Sequence, residues 1–196
     1  MNNKVIHVIV GLTDGGAEGV LTRLCINRQR CGHIVISLTG MGKYGKLLED
    51  SGIPVHCLNL DKGIFKWIGI IKLAYLIKVN KPVALQTWMY HSDLLGGLVA
   101  RLVGVRDVYW GIRHSELDKT AGKRLTVAIA RLCAYLSKTV PKRILCCANS
   151  SVLSHVRVGY EGSKMTVIPN GYDLNKLFPD SSKRDKFRNE LDINAS

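Results

Sequence analysis

The sequence predicts an α/β fold, a Rossmann-like, doubly wound parallel sheet of about seven strands with helices on both faces. Three observations carry this. Short apolar runs recur at residues 5–10, 34–38, 54–58, 83–87, 107–112, 143–147 and 165–168. Helix-forming stretches separate most of them, and a crossover of that length is what parallel pairing needs. The runs are apolar throughout rather than alternating, as strands covered on both faces are.

Taken in order, the first run ends in a turn-rich loop, Gly11-Leu12-Thr13-Asp14-Gly15-Gly16. Residues 17–30 then read as a helix with Val20, Leu21, Leu24 and Ile26 mostly on one side. After the second run comes a short helix over 46–51, closed by Gly52. A longer helix over 64–80 stops at Lys81-Pro82, and one over 92–103 stops at Gly104. The longest helix is expected over 117–140, ended by Pro141. Asn149 or Ser150 caps the next, which runs to about 158. The polar stretch 180–189 is a linker or a surface helix.

With 196 residues the chain suits one large domain, and 46% hydrophobic content with 22% charged residues argues against wholesale disorder. A net charge of +13 favours anionic partners, namely phosphorylated substrates, an anionic membrane surface or nucleic acid. No nucleic-acid-binding signature accompanies the charge, so nucleic acid is not expected as a partner. The six cysteines form no CxxC pair, and no histidine completes a zinc spacing, so no metal or other cofactor is expected. Cys57, Cys146 and Cys147 lie in apolar runs and are expected to be buried in a reduced, cytoplasmic protein. The apolar start is too short for a signal peptide, and the greasiest stretch carries Lys66, Lys72 and Lys78, so no membrane span is expected.

In a parallel sheet the loops following the strands share one edge, where ligands collect. Four such loops are chemically loaded. Gly15 and Gly16, with Glu18, let a backbone approach a ligand at a helix N-terminus, where anions are favoured; the same residues also suit a plain tight turn. The loop is neither a GxGxxG fingerprint nor a Walker A motif. Trp88, His91 and Asp93 gather rings and polar groups suited to a sugar or head-group pocket, unless Ser92 or Asp93 merely caps the helix. Arg113 beside His114 can hold phosphate and move a proton near neutral pH. Asn149-Ser150 and Pro169-Asn170-Gly171 read as a helix cap and an Asn-Gly turn.

Together, Gly15-Gly16-Ala17-Glu18, His91-Ser92-Asp93, Arg113-His114, Ala148-Asn149-Ser150 and Val167-Ile168-Pro169-Asn170-Gly171-Tyr172-Asp173 resemble the N-terminal half of a GT-B glycosyltransferase, more narrowly the retaining, nucleotide-sugar-dependent family 4. That family usually has Val where Tyr172 stands. The resemblance implies one half of a GT-B fold, with residues 1–179 as the acceptor-side domain and 180–196 as a linker toward a C-terminal, donor-binding domain. It implies that Gly15 and Gly16 line the donor's diphosphate, that His114 is catalytic near the reacting sugar, and that Asn170 shapes the cleft floor. Glu18, Trp88, His91, Asp93, Arg113, Asn149 and Ser150 are the remaining candidate substrate contacts.

By the same resemblance, transfer retains configuration, usually without a metal. The partners are a nucleotide-sugar donor, held mostly by the second domain, and a glycan or lipid-linked acceptor in cell-envelope polysaccharide synthesis. No donor motif rich in glutamate is present, so this chain alone is expected to have negligible activity. The helices over 64–80 and 117–140 mix apolar residues with lysine and arginine, which fits peripheral attachment at the inner membrane face. The competing classes are a non-catalytic nucleotide- or anion-binding Rossmann domain, a non-catalytic module for nucleic acid that rests on charge alone, and a nucleotide- or NAD-binding domain of an oxidoreductase. Against the last stand the absent GxGxxG and the lack of an acidic residue ending the second strand.

Overall fold

The computed structural model describes residues 3–27, 31–60, 66–113, 124–172 and 178–193. Its strands are β1 (Lys4–Ile9), β2 (Gly32–Ser37), β3 (Val55–Cys57), β4 (Ala84–Trp88), β5 (Val108–Ile112), β6 (Arg143–Cys146) and β7 (Met165–Val167). Its helices are α1 (Gly16–Asn27), α2 (Gly42–Asp50), α3 (Lys66–Asn80), α4 (Tyr90–Leu102), α5 (Arg124–Leu136), α6 (Asn149–Val158) and α7 (Ser181–Glu190).

The seven strands form one sheet in the order β3-β2-β1-β4-β5-β6-β7, and every pairing is parallel. The expected α/β sheet is therefore the observed one. Strand order reverses between β1 and β4, and the crevice for a ligand opens at the carboxyl ends there.

Two apolar layers sandwich the sheet. On one face Ile9, Leu21, Val35, Leu48 and Trp88 pack with α1 and α2. On the other, Ile6, Val8, Leu73, Ile77, Val99, Trp110 and Cys133 join β1 to α3, α4 and α5. Alternate residues of the central strands serve opposite layers, so both of their faces are covered.

Several expectations are corrected. The helix expected over 46–51 starts at Gly42. That glycine has φ +55°, and a Cβ on it would collide with the Leu12 carbonyl, while the Tyr44 amide donates to the same carbonyl at 2.9 Å. A backbone contact to a distant loop thus starts the helix a turn earlier than side-chain pattern indicates. Neither Asn149 nor Ser150 caps α6: the N-cap is Ala148, with no side-chain cap bond. Neither Ser92 nor Asp93 caps α4, whose N-cap is Met89. Within the described residues α5 runs from Arg124 to Leu136, short of residue 140, because Ser137–Val140 turn back on the helix end. The stretch expected as linker or surface helix is the exposed helix α7, capped by Asp180, which accepts from the Lys183 amide at 3.1 Å. Cys146 is buried as expected, whereas Cys57 and Cys147 are half-buried.

Candidate functional site

At the carboxyl ends of β1, β4 and β5 the loops surround a cleft of about 610 Å³. Gly15, Gly16 and Glu18 line it from the start of α1, Arg23 from further along that helix, Met89 from the β4 end, Arg113 from the β5 end, and Asn170 and Tyr172 from the turn after β7. A second cleft of about 670 Å³ adjoins it, sharing Val20, Arg23, Arg113 and Tyr172 and reaching Gln86, Trp88 and Pro169.

The first wall is the N-terminus of α1. Its opening amides have no partner one turn earlier and so present partial positive charge. The Glu18 carboxylate folds back over Gly15, where a Cβ would collide with it, while a Cβ on Gly16 would meet nothing. A side chain at residue 15 would displace the Glu18 carboxylate from the first turn. Glu18 there also complements the helix dipole.

Arg113 is the centre of the site. Its Nη1 donates to Asn170 Oδ1 at 2.8 Å, and its guanidinium lies 4.8 Å from the centre of the Trp88 ring. Burial lowers its pKa from the ordinary arginine value, yet a guanidinium stays charged at neutral pH. Its Nε is buried without a hydrogen-bond partner among the described residues. Across the cleft, Arg23 sits 5.5 Å from the Tyr172 ring centre, and its Nε is likewise buried and unpartnered. Two cations with orphaned donors among the described residues face the cavity against one carboxylate, Glu18, so its balance of charge favours an anion.

Met89 joins β4 to α4 with φ +73° and ψ 158°. That region is costly for a residue bearing a side chain, on the order of 1–3 kcal/mol. The strain sits on the cleft wall. Just behind it, Asp93 is fully buried and accepts from Thr87 Oγ1 at 2.5 Å, while its Oδ2 has no bonded partner among the described residues. Burial raises the Asp93 pKa well above the usual carboxylate range, against the weaker opposing pull of the Thr87 hydroxyl and the Gly111 amide. The Asp93–Thr87 bond ties β4 to α4, and burial favours the protonated form of the acid.

The cleft gathers Gly15, Gly16, Glu18, Arg113 and Asn170, with Trp88 fully buried as the floor under Arg113. His91, half-buried on the first turn of α4, does not line it, and Asn149 and Ser150 are exposed at the start of α6, away from it. His114 lies outside the described residues. Sequence reasoning missed Arg23, Tyr44, Met89 and Tyr172. Only Tyr172 carried a signal, as the departure from the usual Val after Pro-Asn-Gly; its ring is what Arg23 packs on.

No protein-family model matches this chain. Among curated proteins it is similar to the Escherichia coli UDP-Gal:alpha-D-GlcNAc-diphosphoundecaprenol alpha-1,3-galactosyltransferase, 28% identical over 134 residues, which is 68% of this chain and 34% of that protein. Among solved structures it is similar to Anabaena Alr3699/HepE in complex with UDP, at 16% identity and a TM-score of 0.77, covering 96% of this chain and 50% of that one. It is also similar to the lipopolysaccharide outer core galactosyltransferase WaaB, at 14% identity and a TM-score of 0.61, covering 89% and 47%. The chain spans about a third of the curated relative's length and about half of each solved chain. The architecture is therefore a GT-B-like fold, of which this chain matches about half.

Proposed function

We propose that this chain is the acceptor-side half of a retaining glycosyltransferase of family 4, moving a hexose from a nucleotide-sugar to a glycan or lipid-linked acceptor in cell-envelope polysaccharide synthesis. The observation that carries the reading is the cleft at the strand-order reversal, where Arg23, Arg113 and the N-terminus of α1 converge. That wall suits the diphosphate that leaves when the glycosidic bond of a nucleotide-sugar breaks, and fixed cations and helix amides lower the barrier by stabilising the developing charge. The galactosyltransferase named for the E. coli relative supports the substrate class. In this reading Gly15 and Gly16 face the diphosphate, Asn170 orients Arg113, and His114 stands near the reacting sugar. A second domain holds most of the donor, so the chain by itself turns over negligibly.

Calorimetric titration with UDP and UDP-galactose tests the proposal. Saturable UDP binding that Arg113→Ala weakens supports it. Binding that stays absent for UDP and GDP alike when a donor-binding domain is supplied overturns it. The second reading, a non-catalytic nucleotide- or anion-binding domain, is favoured by the same self-contained cleft. Binding without any transfer, even when a donor-binding domain is supplied, would select it.

We also propose that the acceptor is met at an anionic membrane surface. α4 packs between α3 and α5, and their outward sides expose Trp67, Ile71, Tyr75, Leu102, Leu125 and Tyr135. Lys72, Lys78, Arg124, Arg131 and Lys138 are exposed among them. Each such cation near an anionic bilayer contributes about 1 kcal/mol, and apolar patches rimmed by charge mark interaction surfaces. No helix among the described residues is long and apolar enough to cross a membrane. Flotation with anionic vesicles checks this: capture that salt does not weaken, or no capture, defeats it.

A further inference from the structure

Beneath α1, behind the Trp88 floor of the cleft, three ligand-type side chains meet from three elements. His7 comes from β1, His33 from β2 and Cys25 from α1, each offering one ligand atom, and those atoms all lie within 4.8 Å of one another. The strand register puts Val5 opposite His33, so His7, two residues further on, shares a sheet face with it. The two imidazoles stack with centres 5.2 Å apart, and His7 Nε2 lies 3.0 Å from His33 Nδ1. His7 and Cys25 are buried, and His33 is half-buried, leaving an approach from solvent. Cys31 Sγ stands 3.6 Å from the other ring nitrogen of His33, Nε2.

We infer that His7, Cys25 and His33 form a binding site for a borderline-soft divalent transition ion of the zinc class. Imidazole and thiolate are the donors such ions prefer, and three protein ligands leave a fourth tetrahedral position for water. Bonds of about 2.0–2.1 Å to nitrogen place two tetrahedral ligand atoms about 3.3 Å apart, so the His7–His33 pair needs to open only slightly. His33 binds through Nδ1 and its Nε2–H donates to Cys31, the outer contact that orients a ligating histidine.

His7 binds through Nε2. In the free protein Trp88 Nε1–H donates to His7 Nδ1 at 3.4 Å, which keeps the ring proton on Nε2. The ion takes the Nε2 lone pair, the ring proton moves to Nδ1, and the Trp88 contact is given up; at that length it is a weak bond beside three metal–ligand bonds. The Cys25 thiol leaves its proton to solvent and binds as thiolate.

The site does not depend on the function proposed above, and its test reads no activity. The reduced chain, stripped with chelator, is titrated with cobalt(II) and then zinc. One cobalt per chain with a thiolate-to-metal charge-transfer band, displaced by zinc, is expected. Cys25→Ser should abolish that band, His33→Gln should weaken binding at least tenfold, and Cys31→Ser should keep the band. Absence of the band, or its survival in Cys25→Ser, overturns the inference. If Cys25→Ser fails to fold, the half-exposed His33→Gln decides: unchanged affinity there also overturns it.

Discussion

Replacing Asp93 with asparagine should make the protein more stable relative to the parent as pH rises. The side chain is fully buried, with the Thr87 hydroxyl at 2.5 Å on one oxygen and no bonded partner for the other among the described residues. Burial penalises the charged form and raises the folded-state pKa well above the ordinary 3.8. The sign follows from linkage. A carboxyl with a raised folded pKa binds its proton more tightly when folded, so its contribution is fully present below the unfolded pKa. That contribution is lost as pH climbs toward the folded pKa, at about 1.4 kcal/mol per pH unit for one proton. Asparagine keeps the shape and an acceptor for Thr87 but never ionises. The stability difference between Asp93→Asn and the parent should therefore grow with that slope from about pH 4.5 until the folded pKa is passed. Urea unfolding of both proteins across this range measures it, and other titrating groups cancel in the difference. A difference that is flat with pH, or that shrinks, would refute the picture of an acid whose pKa burial raises.

Three further substitutions probe the frame and the cleft. Gly42→Ala places a side chain at φ +55° against the Leu12 carbonyl and should cost about 1–3 kcal/mol in urea unfolding. Tyr90→Phe removes the hydroxyl 2.7 Å from His155 Nε2; since His155 Nδ1 faces the Ser151 carbonyl at 2.7 Å, Nε2 is the acceptor, and about 1–3 kcal/mol should be lost on thermal or chemical unfolding. Arg113→Ala should weaken UDP affinity about tenfold or more by calorimetry, as loss of a charge-assisted bond of about 1.5–3 kcal/mol implies. An unchanged UDP affinity would remove Arg113 from the binding wall.

The strands were legible almost to the residue, because a strand buried on both faces writes its pattern locally: β5 was expected from 107 and starts at Val108, and β7 was expected to 168 and ends at Val167. Helix starts were less legible. α2 begins at Gly42 because a glycine there fits against the Leu12 carbonyl, a contact thirty residues away in sequence that no local pattern encodes. The cleft was partly legible. Gly15, Gly16, Arg113 and Asn170 sit in strand-end loops, and a parallel sheet brings such loops to one edge. Arg23 sits well inside α1 and looks like any solvated helix cation until Tyr172 is folded against it.

The sequence by itself determined a parallel α/β sheet, since apolar runs spaced by helices have few other ways to bury themselves. Which side chains share a site was decided by tertiary structure. Strand order puts β1 beside β4 and so joins the Gly15–Gly16 loop to Arg113 through Trp88. Strand register puts His7 and His33 on one face, where α1 delivers Cys25. Periodicity reports the face that a residue occupies within its own element. The neighbour on the next element depends on pairing between distant segments, which only the folded sheet sets.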